Sequence, residues 1–212
     1  MNSPDAPPSS LEPTLQEATI THVRASISRG LQKRAMAAGP ELWNAVMASV
    51  SPECRAVFSQ PLGPFQWVAV PHVNEVGLAY NRIAGGDDLD LRAAMTAEEH
   101  LTVSHPWLLK LLSADTLVRQ GPTIFHFYHR GGVVRSESLA PGRCVFSIWA
   151  VGLYDGWATT ALPAWLRRAL ELTGAVRPRV EYLPPPLGSF RHRYVLHWEA
   201  GSADDRVSDG GP

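Results

Sequence analysis

Apolar residues recur at spacings of three and four along the first part of the chain and at a spacing of two along the last part. The first regime predicts amphipathic helices, the second strands. Val23, Ala25 and Ile27 alternate with polar residues as a short strand does, and Arg29 to Ala38 follows as a helix. Gly39-Pro40 stops that helix and starts another, because proline fits a first helical turn, where its missing N–H costs nothing. Leu42, Val46 and Met47 then share a face with Trp43 beside them, and Ser51-Pro52-Glu53 caps a helix carrying Cys54, Val57 and Phe58. Val73, Val76, Tyr80 and Ile83 form the stripe of a helix over Pro71–Ile83, which Gly85-Gly86 ends. Further helices are expected from Leu89 to Val103, from Ser104-His105-Pro106-Trp107 onward, and from Ser113 to Gln120, where Gly121-Pro122 is a stop.

After Pro122 the period becomes two. Thr123–Arg130 and Val133–Leu139 read as a hairpin turning at Gly131-Gly132, with Tyr128 facing Arg135 and His126 facing Glu137. Phe125, Phe127 and Val134 then point into the core. Arg143–Trp149 is a third strand. Between Asp155 and Thr173, Ala158, Ala161, Leu162, Trp165, Leu166 and Leu170 give the strongest helical stripe, with Gly174 as its C-terminal cap. Arg179–Leu183 and Arg191–Glu199 close the chain as strands. The predicted fold class is α+β: an N-terminal helical half (20–122) followed by a mainly antiparallel sheet half (123–200) of order β-β-β-α-β-β. Residues 1–19 and 201–212, poor in large apolar groups, are expected to be disordered tails around a single domain, 20–200.

Composition narrows the classes. At 45% hydrophobic the 212-residue chain is not an intrinsically disordered one. No run of about 18 apolar residues exists to cross a bilayer, and Met1 to Pro8 lacks the basic and apolar blocks of a secretion signal, so a cytoplasmic location is expected. Cys54 and Cys144 are too far apart for a Cys-x-x-Cys pair and are expected to be reduced. The 19 basic and 20 acidic groups nearly cancel, but residues 1–118 hold 8 basic and 12 acidic ones while residues 119–199 hold 10 and 5. That local excess falls short of a nucleic-acid-binding stripe, and nucleic acid is excluded as a partner. The charge boundary coincides with the change of period near Pro122, which makes that seam the place to expect a ligand.

Candidate chemistry is sparse. There is no Gly-x-Ser-x-Gly, no phosphate loop and no His-Glu-x-x-His, so no catalytic residue and no metal site are assigned. His100 and His105 are five residues apart, which separates their rings on a helix. Asp87-Asp88-Leu89-Asp90 has the oxygen ligands of a hard-cation site and the charge of a helix start, and the helix start is preferred. His126 with Glu137 reads as a cross-strand surface pair rather than a general-base pair, and Arg177, Arg179 and Arg191-His192-Arg193 as solvated strand positions rather than an anion grip. Seven tryptophans suit a core and equally an apolar pocket. The pocket candidates are Trp107, Phe125, Phe127, Trp149 and Trp165.

Gly39-Pro40-Glu41-Leu42-Trp43, Phe65-Gln66-Trp67-Val68-Ala69-Val70-Pro71, Gly85-Gly86-Asp87, the segment from Ser104 to Arg119, Phe127-Tyr128-His129-Arg130-Gly131-Gly132 and the run from Gly156-Trp157 to Glu171-Leu172-Thr173-Gly174-Ala175 form a recognisable series. It resembles a paralogous family of myxobacterial proteins of about this length, to which no activity is assigned. The hairpin, strand, helix and two closing strands also look like the layout of haem-NO-binding and vinyl-reductase-type small-ligand domains. That likeness implies a sensory domain with a cavity between its halves. The haem-binding branch reads Tyr-x-Ser-x-Arg to hold the propionates, whereas the matching hairpin here reads Tyr128-His129-Arg130-Gly131-Gly132, and a proximal ligand would be His105 or, as second choice, His100. The sequence therefore predicts a non-enzymatic regulatory domain for a small apolar ligand or a protein partner, with no cofactor expected. A haem-based gas sensor is the alternative.

Overall fold

The computed structural model describes residues 12–85, 89–98, 101–102, 113–154 and 156–200. The chain enters the fold earlier than the hydrophobic pattern suggests. Helix α1 (Leu15–Ala18) is held by a reciprocal capping box between Thr14 and Glu17, and Ala18 is fully buried. Thr19 then bridges Val151, and the Ile20 N–H donates to the Val151 carbonyl. Residues 12–19 thus belong to the fold instead of a disordered tail; the rest of that expected tail and all of 201–212 lie outside the described residues.

A short strand β1 (His22–Arg24) leads into α2 (Ala25–Ala38), which starts before the expected Arg29. Then come α3 (Pro40–Ser49), α4 (Pro52–Phe58) and, after strand β2 (Trp67–Ala69), α5 (Val70–Ala84). The caps are those the sequence announces: Pro40 and Pro52 open α3 and α4, the Ser51 hydroxyl accepts from the Cys54 N–H, and Gly85 ends α5 with φ +86°. Helix α6 covers Leu89–Glu98. The Asp87-Asp88 pair and the expected Ser104 helix, with His100, His105 and Trp107, lie outside the described residues.

The largest departure is α7, which runs from Ala114 to Tyr128 straight through Pro122. Ser113 caps it as expected, but Thr123–Tyr128 is helix, not strand. An interior proline costs about 3 kcal/mol or more. Each buried apolar side chain returns about 1.5–3 kcal/mol, and Leu117, Val118, Phe125 and Tyr128 recur at one-, seven- and three-residue intervals on a single buried face. Burial of that face outweighs the breaker. The period therefore changes at His129, six residues later than expected.

Strand β3 (His129–Arg130) pairs with β1, forming a three-stranded antiparallel sheet of order β2-β1-β3. The second sheet comprises β4 (Val133–Ala140), β5 (Arg143–Trp149), β6 (Ala175–Leu183) and β7 (Arg191–Ala200), in the antiparallel order β4-β5-β7-β6. The hairpin partner of β4 is β5, so Arg135 faces Ser147 and Glu137 faces Val145. The expected pairings Tyr128 with Arg135 and His126 with Glu137 are thereby corrected. Between β5 and β6 lie a π-helical turn (Trp157–Ala161) and α8 (Leu162–Leu172), with Gly174 at φ +81° beyond its end. One apolar cluster fills the interior of α2 to α5 around Trp43, Val46 and Cys54, and a second joins α7 and α8 to the four-stranded sheet around Ile148, Leu170 and Tyr194.

A candidate ligand cavity between the two halves

Where the two halves meet, α2, α5, α6, α7, β5 and α8 surround a cavity of about 200 Å³. Its body is apolar. Helix α7 presents Leu117, Val118, Ile124 and Phe125, and α8 turns its three-and-four stripe of Leu162, Trp165, Leu166 and Leu170 to the same space. Gly121 lets α7 approach β5 closely, since a Cβ there would sit 2.4 Å from the Phe146 ring. Trp157 enters from the π-helical turn, a departure from α-helical geometry that is frequent at functional sites. The buried Tyr194 hydroxyl donates to the Ala158 carbonyl (3.0 Å) and ties that turn to β7; burial pushes this phenol well above its ordinary range.

Polar side chains line the cavity from several elements: Ser28 and Arg34 on α2, Asn81 on α5, Arg92 and Thr96 on α6, and Tyr128, His129 and Tyr154. Arg34 donates to the Thr96 hydroxyl (3.2 Å), which donates to the Arg92 carbonyl one turn back (2.8 Å). Arg92 is only 5% exposed, and its guanidinium lies 4.9 Å over the Tyr80 ring. It is also close enough to Tyr154 to oppose part of the upward shift that burial gives that phenol. Ser28, 3% exposed, lines the same wall, and its hydroxyl has no hydrogen-bond partner among the described residues. No Asp, Glu or Cys occurs among the described lining residues.

At the end of α7 stands His129. Its Nδ1 donates to the Phe125 carbonyl (3.0 Å), its ring stacks on Phe125 with centroids 4.3 Å apart, and Trp157 meets it edge-on at 5.9 Å.

Of the five pocket candidates, the structure brings Phe125 and Trp165 to the cavity. Phe127 lies elsewhere, edge-on to Phe65 at 6.1 Å, with its carbonyl accepting from Arg24 Nε. Trp149 is also elsewhere, buried against the Arg135 and Arg191 guanidinium groups at 5.0 and 4.8 Å, with its Nε1–H donating to Glu12. Both corrections follow from the helical path to Tyr128 and from β5 being covered on both faces, which deprives strict alternation of its meaning. Trp107 and His105 lie outside the described residues. Sequence reasoning missed Arg34, Arg92, Phe146 and Trp157. For Arg92 a signal existed: Leu89, Arg92, Ala93 and Thr96 recur at three and four, placing an arginine on a helical stripe.

The remaining clusters pair with one another at or near the surface. Arg191 reaches Glu12 (3.6 Å) and Ser147 (3.3 Å), Arg177 pairs with Glu199, and the Tyr182 hydroxyl meets His192 Nδ1 at 3.0 Å. Cys54, His72 and Glu75 place possible ligand atoms within 4.8 Å of one another. Glu75, however, accepts from both the N–H and the hydroxyl of Ser51, which holds its carboxyl below the ordinary range, and burial with the nearby Glu75 charge pushes the Cys54 thiol up to about 12. Among the described residues no helix is long and apolar enough to cross a membrane.

No family model matches the chain and no curated protein matches it, so the resemblance to a myxobacterial paralogous family is not shown. Solved structures do match. An H-NOX protein from S. oneidensis in the Fe(II)NO ligation state aligns with a TM-score of 0.64 at 11% identity, over 83% of this chain and 99% of that one. An unliganded Fe(II) H-NOX protein from K. algicida aligns at 0.62 and 9%, over 83% and 96%. An oxygen-binding H-NOX domain related to soluble guanylate cyclases, solved as its oxygen complex, aligns at 0.60 and 7%, over 84% and 96%. The chain has an H-NOX-like fold.

Proposed function

We propose that the protein is a sensory domain whose cavity between the helical and sheet halves holds a small, largely apolar ligand. The cavity itself carries this reading. A void of about 200 Å³ with an aromatic and aliphatic body is larger than the roughly 150 Å³ apolar cavity that takes up benzene. It is smaller than the roughly 300–1,000 Å³ of sites for drug-sized molecules. The H-NOX-like fold supports small-molecule sensing over protein docking, and gives the haem-based alternative more weight than the sequence did.

Haem-based gas sensing is the second reading, favoured by His129: an imidazole at the cavity whose Nδ1–H is fixed by a backbone carbonyl has the outer-shell arrangement common to metal-bound histidines. The described residues nonetheless do not fit haem. Helix α7 meets β5 directly where Gly121 receives Phe146, and the α7 side chains turned to the cavity include no histidine or cysteine. Burial pushes the Tyr128 phenol well above its ordinary range, away from the phenolate that iron would need. The His129 ring is packed flat against Phe125. The chain contains no Tyr-x-Ser-x-Arg.

Absorption spectroscopy and native mass spectrometry of the purified full chain test these readings together. The expected result is no Soret band, no uptake of added haemin, and a small-molecule adduct that denaturation releases. A Soret band lost in His129→Ala or His105→Ala would establish the haem reading instead. A bare chain whose tryptophan emission ignores a library of lipids and aromatics would end the small-ligand reading and return the case to protein docking.

A further inference from the structure

We infer that Cys54, His72 and Glu75 form a zinc site that clips α4 to α5 in the helical half. Their ligand atoms, a sulfur, an imidazole nitrogen and a carboxylate oxygen, all lie within 4.8 Å of one another. None of the three lines the cavity, so this site is independent of the ligand reading. Two separate devices bring them together. Ser51 caps α4 and Pro52 opens it, which puts Cys54 in the first turn of the helix, and the Cys54 Sγ lies 3.5 Å from the His72 carbonyl. On α5, His72 and Glu75 are three residues apart and so share one face. Glu75 then reaches across to α4, where its two oxygens accept from the Ser51 N–H and, at 2.9 Å, from the Ser51 hydroxyl.

The donor set decides the metal. Mg²⁺ and Ca²⁺ are built around oxygen ligands and are not served by a thiol and an imidazole. Zn²⁺ accepts all three donor types, and with three protein ligands it keeps a fourth position for water. Its bonds, about 2.3 Å to sulfur and about 2.0–2.2 Å to nitrogen or oxygen, set tetrahedral ligand atoms about 3.3–3.8 Å apart. Small rotations of the half-buried His72 and Glu75 side chains close the present spread to that range, while the fully buried Cys54 stays in place. The hydrogen bonds of Glu75 suit the role. Accepting from Ser51 uses one lone pair of each oxygen and leaves the other for the ion, and metal-bound carboxylates are ordinarily held by such outer partners. Alone, the Glu75 charge opposes ionisation of Cys54. A dication between the two reverses that opposition. The thiol proton passes to water as the sulfur–zinc bond forms, and thiolate and carboxylate together neutralise the ion.

Cobalt(II), a coloured substitute for zinc, tests the site. Titration of the reduced, EDTA-washed full chain with Co²⁺ is expected to saturate at one equivalent and to raise the near-ultraviolet charge-transfer band of a cobalt–thiolate bond, which added Zn²⁺ then bleaches. Cys54→Ser is expected to lose that band. His72→Gln and Glu75→Gln should each weaken Co²⁺ at least about tenfold, the smallest loss usual even for outer-shell partners of a metal. Cys144→Ala, which removes the other cysteine, should leave the band unchanged. Since Cys54 is buried, His72→Gln and Glu75→Gln carry the test if Cys54→Ser loses the wild-type circular dichroism. Cobalt bound without the charge-transfer band is held by histidines or carboxylates alone and overturns the site. A band that survives in Cys54→Ser, or that vanishes in a folded Cys144→Ala, overturns it too, as does binding indifferent to the His72 and Glu75 variants.

Discussion

Around Trp43 the helical half packs shut, while around Trp157 the molecule leaves a space, although both regions are built from the same kinds of residue. Trp43 is 7% exposed and meets Phe58 edge-on at 6.3 Å, with Cys54 and Val46 fully buried beside them. Trp157 and Trp165 are only half-buried and face the void. Two glycines that both line this space show that it too is open at one point and tight at another. A Cβ at Gly77 on α5 would meet none of the described residues within 4 Å, whereas at Gly121 on α7 it would strike Phe146. Apolar composition therefore does not decide whether a region is core or cavity; how closely the neighbouring elements approach does.

Truncation separates the two regions most strongly. Trp43→Ala is expected to cost about 3–5 kcal/mol in urea denaturation, the usual penalty for emptying a filled core. Trp157→Ala should cost clearly less, because part of its ring already faces open space. Equal costs would mean that the space is closed in solution. Next in size, Gly121→Ala should destabilise by about 1–3 kcal/mol as Phe146 is displaced, and should weaken ligand binding by crowding the cavity. Gly77→Ala should act in the opposite direction, raising stability by about 0.5–1 kcal/mol through helix propensity alone, since its new methyl meets none of the described residues. A loss there would place an unseen neighbour against α5.

The smallest effect concerns the sheet wall. Burial lowers the His192 pKa from its ordinary 6.5, so the fold favours the neutral ring and the unfolded chain binds the extra proton. Its contribution to stability is full above 6.5 and is lost as the pH falls below that value through the folded-state pKa. Replacing it, as His192→Gln, should flatten the fall in melting temperature between pH 7 and 5 (a range of about two units around the imidazole value). An unchanged slope would assign the acid sensitivity to other groups.

How much of this was legible depends on whether a local signal and burial agree. Helices α3 to α5 and α8 combine apolar stripes with proline starts, a serine cap and glycine ends, and the structure places them within a few residues of expectation. The order β-β-β-α-β-β after the helical half is likewise as expected, with the first of those strands reduced to His129–Arg130. In α7 the signals conflict: alternating Phe125, Phe127 and an interior Pro122 argue for a strand, and only the long-range burial of Leu117, Val118 and Phe125 against the sheet reverses them. The start of the fold was hidden because a capping box between two polar residues leaves no hydrophobic period. Of the site, Phe125 and Trp165 were readable as apolar side chains facing inward. Arg34 was not, since charged helix residues ordinarily face solvent, and Arg92 was signalled only by its place on the stripe of Leu89, Ala93 and Thr96.

Tryptophan emission during a titration with benzene, which apolar cavities of about this size take up, addresses the cavity most directly. The expected result is a saturable change in the full chain that disappears in the Trp157→Phe, Trp165→Phe double variant and persists in Trp43→Phe. Emission that stays constant while calorimetry shows binding, or a change that survives in the double variant, would place the ligand somewhere other than between the two halves.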